Sequence, residues 1–176
     1  MSGSGDGVRP PQVGPATRRW LVRLAIVEAA ILITIASAAR RWVSMPRWSP
    51  VLGQPAAVPD SWSGRTVTRI PVRAGDPTER LVARAVERAA QLLPGEPSCL
   101  ACVTAGQIML RVRRRAGVVV IGLRRPERTD ADWDAHAWLL GSRGALSGGP
   151  AARGFTATTV FEVPGRSSAR SVDLGV

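Results

Sequence analysis

Twenty residues from Trp20 to Ala39 contain no Gly, no Pro and only two charges, Arg23 and Glu28. A helix of that length runs about 30 Å, so the rest of the chain must pack against it or leave it to a membrane. Three readings compete. A transmembrane helix has this length, but Arg23 and Glu28 are costly at depth, and only Ala29 to Ala39 is uncharged and continuous. An export signal has Thr17-Arg18-Arg19-Trp20-Leu21-Val22-Arg23, close to a twin-arginine pattern, ahead of the small residues Ala36-Ser37-Ala38. Glu28 at the head of the apolar run argues against it. A helix packed on its own domain, a partner or a membrane surface keeps both charges outside, with Leu24, Val27, Ile31 and Ile35 as the packing seam. This third arrangement is the expected one.

The remaining chain divides by composition. Residues 1–17 are rich in Gly, Pro and Ser and read as a disordered tail. Residues 18–59 hold the hydrophobic helix and a Pro-rich connector, Trp42 to Pro59; residues 60–164 form the main domain, and 165–176 a flexible tail. Within the domain, Thr66 to Val72 reads as a short strand. Thr78 reads as an N-cap with Glu79 in the first turn, opening an amphipathic helix through Leu81, Val82, Ala85, Val86, Ala89, Leu92 and Leu93. Pro94-Gly95-Glu96-Pro97 stops that helix, and Ser98 caps another that begins at Cys99. Gly117 ends the basic stretch Arg111 to Arg115. Val118 to Leu123 reads as a buried strand, His136 to Leu140 as the next, and Phe155 to Val163 as a clear alternating strand. The fold class is α+β.

Charge narrows the partners. All 24 basic residues are Arg against 13 acidic ones, a net +11. They are spread from Arg9 to Arg170 without the aromatic interleaving of a single-strand binder, so no nucleic-acid partner is expected. Such a surface suits an acidic peptide drawn to Arg111, Arg113, Arg114 and Arg115, or to Arg124 and Arg125. A solvated helix end, with Arg favoured by the dipole, explains the first group equally well. No phosphate-cradling loop or dinucleotide motif is present, so no nucleotide cofactor is expected. Two Cys and one His leave a structural zinc set incomplete, and no metal is expected.

The same three residues carry the chemistry. A thiol is a strong nucleophile only as thiolate, and both a helix N-terminus and a nearby imidazolium lower its pKa. Cys99 opens a helix, and the single histidine, His136, lies in a strand. Cys99 and Cys102 also form a Cys-x-x-Cys, but a helix and a Pro-rich loop precede it where a redox motif follows a strand. Both could equally be plain core residues.

Cys99-Leu100 at a helix start, Arg113-Arg114-Arg115-Ala116-Gly117, Ile121-Gly122-Leu123-Arg124 and His136-Ala137-Trp138 occur in an order and spacing that resembles the lasso-peptide biosynthesis B-protein family. Val82 to Val86 before Leu93-Pro94, and Glu28-Ala29, add weaker likeness. The family comprises leader peptidases with a transglutaminase-like, papain-related cysteine protease fold, here in the form without a fused leader-recognition domain. The resemblance spans roughly residues 20 to 163. It implies Cys99 as nucleophile, His136 as base, Cys102 as a packed residue, and antiparallel pairing of the two central strands. The family usually places an Asp about twelve residues after the His, where this chain reads Ser142 to Gly149 without a carboxylate. Asp134, on the same strand face as His136, Ser147, Glu162 or a backbone carbonyl are the candidates to orient the ring.

The implied activity is removal of the leader from a ribosomally made precursor peptide, before a separate ATP-dependent lasso cyclase closes a macrolactam. A separate leader-recognition protein is the implied partner, and Arg113, Arg114 and Trp138 are the residues expected to meet substrate. Cytoplasmic location is expected, with membrane association through residues 20–39. The rival reading is a noncatalytic, membrane-associated basic scaffold that binds the precursor or the cyclase.

Overall fold

Period-two alternation organises the centre of the molecule. The computed structural model describes residues 15–42, 45–70, 72, 74–125 and 133–165. Five strands, β1 (Gln54–Ala56), β2 (Gly117–Arg124), β3 (Asp134–Leu140), β4 (Ala145–Ser147) and β5 (Thr156–Val163), form one antiparallel sheet in the order β1-β5-β2-β3-β4. Val119 pairs with Leu139 and Phe161, while the next residue, Val120, pairs with Trp138 and Val160. Side chains one residue apart point to opposite faces, so these two triplets build two separate cores.

Helices cover the first face. They are α1 (Pro15–Ala39), α2 (Met45–Leu52), α3 (Pro77–Leu92) and α4 (Cys99–Val112). Val82, Ala85, Val86 and Ala89 of α3, and Ala101, Ala105, Met109 and Leu110 of α4, bury against Val119, Leu139 and Phe161. The second face is closed by Trp62, Val67 and Ile70 from the segment before α3, with Ala152 and Phe155, over Val120, Trp138, Leu140 and Val160. An α+β fold with an antiparallel sheet and an apolar N-terminal helix results.

The helix α1 packs on α3 and α4, but by the opposite face to the expected one. Its buried residues are Ala25, Ala29, Ile33 and Ala36, whereas Leu24, Val27, Ile31 and Ile35 are all more than half exposed. Alanines allow the helix axes to approach closely, and the small faces of α3 and α4 accept that approach. Glu28, expected to face solvent, pairs with Arg113, the residue just past α4, at 3.0 and 2.5 Å. The larger apolar stripe is therefore the unpartnered one.

Other local expectations shift for identifiable reasons. The stretch from Trp42 to Pro59, read as a connector, contributes α2 and the edge strand β1. The Thr66 to Val72 strand is reduced to single bridges from Thr66 to Thr156 and from Val72 to Ala145; residue 71 lies outside the described residues. Asp76, not Thr78, caps α3, accepting from the N–H groups of Thr78 and Glu79, with Pro77 in the first turn. The helix α4 stops at Val112, ahead of Gly117: Arg114 takes a φ of 55°, and the Arg115 N–H closes onto the Leu110 carbonyl. Most of the 1–17 tail and the C-terminal tail beyond residue 165 lie outside the described residues.

Two buried polar side chains hold the layers in register. Glu79 accepts from the Gly75 N–H, from the Ser142 N–H at 2.9 Å and from the Ser142 hydroxyl at 3.0 Å, tying α3 to the turn between β3 and β4. Gln107 donates to the carbonyls of Leu52 and Gly117, linking the middle of α4 to the end of α2 and the start of β2.

Candidate active site

The site forms where the start of α4 meets the start of β3. The Ser98 hydroxyl accepts from the Ala101 N–H at 3.2 Å, so Cys99 is the first residue of the helix, as the sequence suggests. The opening N–H groups of a helix have no partner within it and carry the positive end of its dipole. Cys99 is half-buried there and hydrogen-bonded to His136.

Two opposed effects set the thiol. Burial disfavours the thiolate, but the His136 hydrogen bond, the Ala137 backbone N–H, the imidazolium charge and the Leu100 N–H together outweigh it. The Cys99 pKa ends below its ordinary value. His136 moves the other way. The Cys99 hydrogen bond raises its pKa, burial works against this, the Gly148 carbonyl and thiolate charge add to it, and the charge of Arg124 subtracts. A lowered thiol facing a raised imidazole is the direction of shift that favours a thiolate–imidazolium pair.

The group orienting the ring is the Gly148 carbonyl, 2.9 Å from His136 Nε2. A carbonyl only accepts, so Nε2 carries the proton and Nδ1 is left to exchange one with the thiol. Gly148 is twelve residues beyond His136, and what meets the ring there is a main-chain oxygen. No other residue serves at that point. Gly148 has a φ of +74°, and a Cβ on it would stand 2.6 Å from the Ala137 carbonyl oxygen. The carbonyl reaches the ring because this backbone lies directly on β3.

The other candidates stand elsewhere. Asp134 is exposed and bound to Arg124 at 2.6 Å, which takes it from the ring. Ser147 precedes the orienting carbonyl but contributes no side-chain bond to His136 among the described contacts. Glu162 pairs with Val118, four residues along β2 from Gly122, the partner of His136, which is about 14 Å of strand.

The three residues expected to meet substrate lie in three different surroundings. Trp138 is fully buried beneath the site, its ring stacked on His136 at 6.1 Å between centroids and an interplanar angle of 23°. Arg113 is committed to Glu28 and to the Met109 carbonyl. Arg114 follows the far end of α4, about 20 Å of helix from Cys99. It lines a cavity of about 590 Å³ with Gly53, Arg111 and Glu162, remote from the thiol.

Sequence reasoning missed the support around the ring. Phe155 lies 5.3 Å from His136, and the Arg124 guanidinium sits 4.6 Å above that phenyl ring. Cys102, one turn beyond Cys99, is pushed up to about 11 by burial and then by the charge of Cys99. Both cysteines are free thiols. Cys102 lines a cavity of about 210 Å³ with Val86, Ala145, Ser147, Gly148 and Pro150. Among the described residues no three His, Cys, Asp or Glu side chains gather as a metal set.

The family model of the transglutaminase-like superfamily matches residues 33–160, which include Cys99, His136 and Gly148. The chain belongs to the transglutaminase-like superfamily. Cysteine peptidases and transferases share this superfamily, and the sheet, the helical layer and the helix-opening cysteine of this member agree with such a fold. No curated protein and no solved structure matches this transglutaminase-like chain significantly.

Proposed function

We infer that the protein is a cysteine peptidase that removes the leader from a ribosomally made lasso-peptide precursor. The observation that carries the chemistry is the Cys99–His136 pair, with the thiol lowered, the imidazole raised and the ring held by the Gly148 carbonyl. The substrate class rests on the family resemblance of Cys99-Leu100, Arg113 to Gly117, Ile121 to Arg124 and His136-Ala137-Trp138.

Thiolate Cys99 attacks the carbonyl at the leader's end, and the resulting oxyanion is held by backbone N–H groups opening α4. His136 gives its Nδ1 proton to the leaving amine, freeing the core peptide for a separate ATP-dependent cyclase. Water, deprotonated by His136, then hydrolyses the acyl-enzyme and releases the leader. The 210 Å³ cavity beside Cys102 and Gly148 has room for a side chain next to the scissile bond. A neutral carbonyl orients the ring but stabilises the imidazolium less than a carboxylate does, so turnover is slow without a partner.

The test is incubation of the purified chain and its separate leader-recognition protein with intact precursor, followed by mass spectrometry. Cleavage is expected to vanish with Cys99→Ala and with His136→Ala, and to persist with Cys102→Ala. Cleavage that survives Cys99→Ala and is lost with Cys102→Ala overturns the choice of nucleophile. Absence of cleavage in every partner combination favours the basic scaffold, the reading to which the missing carboxylate gives weight.

A further inference from the structure

We propose that α1 seats the protein on an anionic bilayer surface, lying in the membrane plane through the stripe Trp20, Leu24, Val27, Ile31 and Ile35. At about 100° per residue these five fall within an arc of roughly 80°, opposite the buried Ala25, Ala29, Ile33 and Ala36. Their exposures run from 54 to 63%, and the stripe is about 22 Å long. Scattered apolar residues are ordinary on a surface; five large ones in one line are not.

Polar groups along the stripe are already provided for. The Thr34 hydroxyl donates to the Ala30 carbonyl at 2.8 Å, so it needs no water. The one acid of the helix, Glu28, is neutralised by Arg113. Arg23 lies over the Trp20 ring at 5.9 Å, with its charge at the flank where a long side chain can reach headgroups. Trp20 stands at one end and Trp42, 85% exposed, just past the other, both suited to the interface between headgroups and acyl chains.

Charge selects the occupant. Exposed Arg18, Arg19 and Arg23 flank one end and exposed Arg40 and Arg41 the other, which an anionic lipid surface complements at both ends. A second copy of the chain does not: paired parallel or antiparallel, two such stripes bring arginines against arginines. The helix is long and apolar enough to cross a membrane by length and composition. Crossing, however, strips it from α3 and α4, breaks the Glu28–Arg113 pair and buries Arg23. An in-plane seat keeps every one of those contacts.

The experiment is sedimentation of the full chain with vesicles of phosphatidylcholine alone or with roughly one-third phosphatidylglycerol, which adds negative surface charge. Binding is expected to the anionic vesicles and to weaken with salt. Leu24→Asn with Ile31→Asn is expected to lower the bound-to-free ratio roughly tenfold or more, with the melting temperature unchanged because both sites are exposed. Replacing Arg18, Arg19, Arg40 and Arg41 by Gln is expected to remove the preference for phosphatidylglycerol. Equal recovery in the supernatant with both vesicle types overturns the proposal. So does binding that the Leu24 and Ile31 substitutions leave intact, or a dimer that those substitutions dissociate while the parent chain ignores vesicles.

Discussion

Replacing Gly148 by Ala tests whether a main-chain oxygen orients His136. The residue has a φ of +74°, a conformation that costs a non-glycine residue about 1 kcal/mol. Its new Cβ would lie 2.6 Å from the Ala137 carbonyl oxygen and 3.1 Å from the Trp138 Cα, both backbone atoms of β3 that cannot swing aside. Overpacking of this kind costs about 1–3 kcal/mol, so the total is about 2–4 kcal/mol, or roughly 5–15 °C in melting temperature. Relief requires the Gly148 segment to lift from β3, which stretches the 2.9 Å contact to Nε2. A hydrogen bond to a charged group is worth about 1.5–3 kcal/mol, so loss of the imidazolium's partner reduces Cys99 reactivity roughly 10- to 100-fold near neutral pH. The sign follows from which form loses its acceptor: the protonated ring is weakened, the His136 pKa falls, and the thiol pKa rises. Alkylation by iodoacetamide against pH, in a Cys102→Ala background, reads this directly, with the acid limb displaced to higher pH. A variant that melts lower but keeps the parent alkylation profile refutes the orienting role. One that melts at the parent temperature refutes the steric argument. Gly148→Asp meets the same strain, so one substitution does not place a carboxylate beside the ring.

Three further outcomes are expected. At pH 7 a thiol with a pKa of about 11 is ionised to roughly one part in ten thousand, so iodoacetamide labels Cys99 alone; peptide mapping that finds Cys102 modified first contradicts the assigned environments. A double-mutant cycle on Glu28→Ala and Arg113→Ala gives a coupling of about 1 kcal/mol in denaturant melts, because both side chains are partly exposed, and leaves alkylation of Cys99 unchanged. Glu79→Ala leaves two backbone N–H groups and the Ser142 hydroxyl without their acceptor and costs about 3 kcal/mol in urea unfolding, with Glu79→Gln milder because one oxygen remains; equal costs for the two would point to packing instead.

The elements that carry chemistry were legible because their signals are local. Ser98 before Cys99 is a cap whose oxygen reaches a donor three residues on, and the alternation from Phe155 to Val163 needs no distant partner to be recognised. The ring's acceptor was harder to see. A backbone carbonyl was among the candidates, but it has no residue type to mark it, and only the approach of the β4 end to β3 turns the Gly148 oxygen on His136. Trp138 beside His136-Ala137 invited a role with substrate. Two residues along a strand share a face, and here that face is the second core.

Sequence alone was sufficient for the α+β class, the helix opening at Cys99 and the strands carrying His136 and Val160. These follow from caps and periodicity, which act over a few residues. Which face of α1 is buried, where Arg113 spends its charge and what holds His136 were left to packing. Each depends on groups far apart in the chain: Glu28 meets Arg113 across 85 residues, and the two apolar stripes of α1 are told apart only by the helices available to receive them.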